Sequence, residues 1–128
     1  MRTLALVAVL LTAGATGESR AEPSAEQAAY VKAKPVFAKY CASCHTKAGA
    51  KATAKKLDHF DMTTYPFGGH HATTIAATMR KVLAIKGGKP TMPSDKKGAV
   101  KGDELALIAA WCDAFDAAHK ANSTHHHH

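Results

Sequence analysis

Apolar residues return at helical spacing in three separated stretches of this chain, and no stretch shows a convincing period-two alternation of apolar and polar residues. The first stretch follows Pro23. Ser24 and Gln27 stand there at capping-box spacing, which predicts a helix start running through Tyr30, with Pro35 interrupting or kinking the helix. Val36, Phe37, Tyr40 and Cys41 resume the stripe, so Cys41 is expected at or near a helix end. Ile75, Met79, Val82 and Leu83 form the second stretch, and Gly87 with Gly88 supplies its C-terminal stop. In the third, Asp103 and Glu104 open a helix on which Leu105, Ile108, Cys112 and Phe115 share a face, with Trp111 beside it. Residues 46–56 carry no clear apolar period and read as an exposed loop, at most partly helical. A Pro and two Gly between Tyr65 and His70 mark a turn. The expectation is an all-α fold with long loops, in one domain over residues 22–120.

Long loops are hard to hold in so small a domain. Of the 128 residues 46% are apolar but only 6% aromatic, so the chain's own side chains build a thin core. A large apolar prosthetic group on which the loops pack would resolve both difficulties. At the N-terminus Arg2 precedes an apolar run, Leu4 to Leu11, followed by small residues, which is the pattern of a signal peptide. The run falls short of the roughly 20 residues that span a bilayer, so no stable membrane insertion is expected. Ser19 and Ala21 suit a cleavage site, with Ala13 and Ala15 as an alternative, and residues 1–21 are read as the signal peptide of a soluble, periplasmic or otherwise exported protein. Their removal takes Arg2, Arg20 and Glu18 and lowers the formal charge from +7 to +6. A basic domain suits nucleic acid, an anionic membrane or an acidic protein, and export disfavours nucleic acid. Residues 121–128 read as a disordered His-rich tail with no assigned role.

Three cysteines do not make an even disulfide framework, and two of them share one motif, Cys41-Ala42-Ser43-Cys44-His45. CxxCH is the spacing of covalent haem attachment. Two thiols on one turn reach the two vinyl-derived carbons of a porphyrin, and the next residue projects an imidazole toward the iron. A redox dithiol and half of a zinc site are the other uses of CxxC, but the βαβ context of the first and the two further ligands of the second are missing. A sixth iron ligand is sought in Met92, whose Lys89-Pro90-Thr91-Met92-Pro93 loop is stiffened by Pro on both sides. Met79, on a helical stripe, reads as core filler, and Met62 lies in a poorly patterned stretch. His70 and His71 are the alternative distal ligands, or ligands of another metal, or hydrogen-bond partners of a haem propionate, against the plainer reading of one residue preceding a helix and one in solvent. His59 and His119 read as surface residues, and Cys112 as a buried free thiol, with an intermolecular disulfide as the other option.

From Val36 to Phe115 the chain resembles the class I monohaem c-type cytochromes of bacteria. The resemblance rests on Phe37 four residues before CxxCH, a middle helix, a Met-Pro loop 47 residues beyond His45, and an acidic-start last helix with Trp111. It implies three to four helices around one covalent haem c, with the terminal helices crossing and Phe37 packed near Trp111. Ala33 stands where the family usually has a smaller residue. The implied function is electron transfer with His45 and Met92 as axial ligands; the alternative is a haem enzyme or gas sensor with an open or bis-His distal site. Lysines cluster around both the motif and the Met92 loop, whereas Asp103, Glu104, Asp113 and Asp116 lie on the last helix. The expected partners are therefore redox proteins with an acidic docking surface.

Overall fold

A computed structural model describes residues 21–123. The proposed signal sequence, apart from Ala21, and the histidines His125 to His128 lie outside the described residues. The elements are α1 (Ala25–Tyr40), α2 (Ala42–His45), α3 (Ala54–His59), a 3₁₀ turn (Ala72–Thr74), α4 (Ile75–Val82) and α5 (Gly102–Ser123). No strand forms among the described residues, where Asp61 and Gly68 make one isolated antiparallel bridge. The fold is all-α, as the apolar periods predict.

Helix α1 begins as its capping box dictates, with Ser24 Oγ accepting from the Gln27 N–H at 3.1 Å. It runs on through Pro35 without the interruption that is one of the two expectations there. Proline removes one N–H and crowds the carbonyl four residues back, which here belongs to Val31. Both residues are exposed, so water can serve the released carbonyl, while Ala33, Val36 and Phe37 carry the buried face on either side. Helix α4 also differs from its expected end. It stops at Val82, ahead of the glycine pair, because Leu83 caps it and Ala84 turns into the left-handed region at φ 55°. Helix α5 runs on to Ser123, so the first three residues read as disordered tail are helical.

The core forms where α1, α4 and α5 meet. Phe37 and Trp111, 1% and 0% exposed, touch edge to face with ring centroids 5.2 Å apart, the crossing contact the resemblance implies. Phe67 joins both rings from the loop before the 3₁₀ turn. The indole is satisfied as well as buried: Nε1 donates to the Tyr65 hydroxyl at 3.1 Å, and that hydroxyl donates to the Glu26 carboxylate. Burial, then the Glu26 carboxylate, raises the Tyr65 pKa, so it stays a phenol and a donor. Cys112 is fully buried, which leaves it unavailable for an intermolecular disulfide in the folded state; burial pushes its thiol up to about 12. On the solvent side Arg80 of α4 forks between Asp113 and Asp116 of α5 at 2.8 and 2.7 Å.

Candidate functional site

Helix α1 ends on the motif. The Cys41 N–H still bonds to Phe37 O at 2.9 Å, and the Cys44 and His45 N–H groups then both turn onto Cys41 O at 3.1 and 3.0 Å. CxxCH is thereby wound into a single helical turn, α2, and Cys41, Cys44 and His45 all line one cavity of about 330 Å³. Phe60, Ile75, Met79, Val82 and Leu83 supply apolar lining. Met92 and Pro93 line it from the loop after α4, where Val82 O accepts from both the Thr91 and Met92 N–H groups, at 2.8 and 3.1 Å. Met92 is 36% exposed, so the loop backbone, not burial, holds it.

The loop after the motif is tighter than its composition predicts. A Cβ on Gly49 would stand 2.5 Å from both Ala42 O and Ser43 O, and the Lys51 N–H bonds to Ser43 O at 2.8 Å. Only glycine lets the chain fold back so closely on α2. The Lys51 ammonium then reaches Asp95 beside the Met92 loop at 2.7 Å, which holds that carboxyl below its ordinary range.

His45 Nδ1 lies 3.0 Å from Phe60 O, and a carbonyl only accepts, so Nδ1 is the donor in that bond and Nε2 is the ring nitrogen left for a metal. Burial, assisted by the neighbouring Cys44, pushes the Cys41 thiol up to about 12. Residues 28–112 match the family described as Cytochrome C oxidase, cbb3-type, subunit III. The chain belongs to that family. No curated protein and no solved structure matches it.

Membership makes this a cytochrome c domain, and membership implies haem c binding. The cavity fits such a group: its wall is largely apolar, and two thiols and an imidazole, the donors that family chemistry uses, stand on it together.

The structure of this cytochrome domain divides the remaining histidines in a way the sequence does not. His71 lines the cavity and His70 does not, and His59 lines it as well. His59, His70 and His71 gather so that their ligand atoms lie within 4.8 Å of one another. A surface reading of His59 misses this because the three come from segments ten or more residues apart. The bridging pair Asp61 and Gly68 is what brings them together. His119 is exposed but stacks on Phe115 at 3.9 Å, its Nδ1 3.0 Å from Phe115 O. Among the lysines near the motif, Lys39 is paired with Glu104 at 2.8 Å and Lys51 with Asp95. No salt bridge engages Lys86, Lys89, Lys96 or Lys97 among the described residues.

Proposed function

We propose that the chain is an exported electron-transfer protein carrying one covalent haem c, with His45 and Met92 as its axial ligands. One observation carries the reading: the two thiols and the imidazole of CxxCH and the thioether of Met92 line the same apolar cavity. Each thiol adds its S–H across one vinyl double bond, sulfur taking one carbon and hydrogen the other, so attachment needs no oxidant. The haem supplies one-electron redox chemistry. The Phe60 carbonyl fixes the tautomer and orientation of His45 and raises its basicity as a ligand. The loop hung on Val82 O holds Met92, whose soft thioether favours ferrous iron and raises the potential over that of a second imidazole.

The competing reading, a haem enzyme or gas sensor with an open or bis-His distal site, draws on His71, which shares the cavity wall. Optical spectra of the reduced protein with and without carbon monoxide separate the two. A six-coordinate carrier should show little rapid change on adding the gas, whereas an open site binds it at once. The oxidised protein should also carry the weak far-red band of thioether-ligated ferric haem, lost in Met92→Ala and kept in His71→Ala. Loss of low-spin iron in His71→Ala with no effect of Met92→Ala would assign the sixth position to His71.

The partner proposed is a redox protein with an acidic docking face, because Lys86, Lys89, Lys96 and Lys97 around the Met92 loop carry no salt bridges among the described residues while Glu104, Asp113 and Asp116 of α5 engage Lys39 and Arg80. Steered association should slow as salt rises past about 0.1 M, where the Debye length is about 10 Å. Stopped-flow electron transfer with an acidic partner should show a shallower salt slope for a Lys89→Glu, Lys96→Glu variant than for wild type. Equal slopes would remove the steering.

A further inference from the structure

The three-histidine cluster lies beside the proposed haem-binding residues, and neither the electron-transfer reading nor family membership uses it. Its ring centroids stand 4.4 Å apart for His59 and His70, 4.2 Å for His70 and His71, and 5.6 Å for His59 and His71. Their ligand atoms all fall within 4.8 Å. A tetrahedral ion with nitrogen at about 2.1 Å needs its ligands about 3.4 Å apart. Small side-chain rotations cover the difference, and His59 and His70 are exposed and free to make them.

The backbone beneath the rings is fixed. His59 ends α3, and the strand-like segment that follows it pairs with the segment carrying the other two. The Asp61 and Gly68 N–H groups exchange bonds at 3.0 and 2.7 Å, His70 N–H donates to Asp58 O at 2.7 Å, and His71 N–H to His59 O at 3.3 Å. Gly69, at φ 88°, makes the close approach possible, since a Cβ there would stand 2.8 Å from the His59 carbonyl and the Phe60 nitrogen. Asp58 completes the arrangement. Its Oδ2 lies 3.5 Å from His70 Nδ1, within ion-pair reach, so a carboxylate stands directly behind that ring.

We propose that His59, His70 and His71 form a second metal site, for a divalent ion of the zinc and copper class, with Asp58 orienting His70. Three neutral imidazoles select that class over calcium or magnesium, which prefer carboxylate and carbonyl oxygen. Water fills the fourth position. The site rests on the reading that His71 is not the sixth iron ligand, and it stands whether that position is held by Met92 or left open.

The test is calorimetric titration of Zn²⁺, chosen because it is redox-silent, into the haem-loaded full chain with His125, His126, His127 and His128 replaced by alanine so that the tail does not compete. One zinc should bind per chain. Affinity should fall about tenfold or more in His59→Ala and in His70→Ala, about tenfold in Asp58→Asn, and stay unchanged in His119→Ala. The haem absorption spectrum should not move as zinc binds. Absence of zinc uptake, equal affinity in His70→Ala, or a change in the iron's spin state on zinc addition would each overturn the site. The last would show that an imidazole was taken from the iron.

Discussion

A Cys41→Ser, Cys44→Ser double variant should accumulate no covalent haem, whereas either single variant keeps at most one thioether. The expectation follows from the chemistry of the turn: sulfur adds across a vinyl bond and forms a stable thioether, while a serine hydroxyl at the same position does not. The double change also puts a hydroxyl at the half-buried Cys41 position, where an unpaired polar group costs about 1–3 kcal/mol at most. His45, held on Phe60 O, remains as an iron ligand, so loosely bound haem can persist under native conditions. Denaturing electrophoresis with haem staining separates the cases, because only a thioether survives it. A stained band in the double variant at wild-type intensity would end the assignment of Cys41 and Cys44.

The largest loss of stability is expected at Trp111. It is fully buried, contacts Phe37, Phe67 and Phe115, and anchors the Tyr65 hydroxyl. Trp111→Ala should cost about 3–5 kcal/mol, the range for emptying an aromatic core position. Trp111→Phe keeps the ring packing and gives up the hydrogen bond, for about 0.5–1.5 kcal/mol. Guanidinium denaturation of the haem-loaded protein, followed by far-ultraviolet circular dichroism, measures both. Similar midpoints for the alanine variant and wild type would mean that haem rather than the α1–α5 contact dominates stability.

What was legible in the sequence was local. Ser24 and Gln27 announce the start of α1 because a cap is decided within four residues, and the stripes of α4 and α5 carry their own period. CxxCH is equally self-contained, one turn of helix read directly from its spacing. Pro35 misleads because its cost depends on where the released carbonyl points, and that is set by packing elsewhere. Helix α3 lies hidden in a Lys- and Ala-rich stretch with no stripe, since none of its residues is fully buried. His70 and His71 stand out in the sequence as a pair, but nothing there joins His59 to them. Its geometry depends on the pairing across Asp61 and Gly68 and on the missing Cβ of Gly69, which only the folded chain reveals.

The join between the first and last helices carries a consequence for the order of events in synthesis. Lys39 and Tyr40 meet Glu104 across 65 and 64 positions of chain, and the Phe37–Trp111 contact lies deeper in the same join. A chain made from its N-terminus therefore presents the CxxCH turn well before the helix that covers the apolar face of α1 exists. Closing so long a loop is slow compared with winding a helix. Cys41 thus passes through a period in an open, unburied chain, in which burial does not yet suppress its ionisation. On the proposed function, a variant that closes the join between the first and last helices early should take up haem more slowly than wild type, since Cys41 would then be covered before attachment.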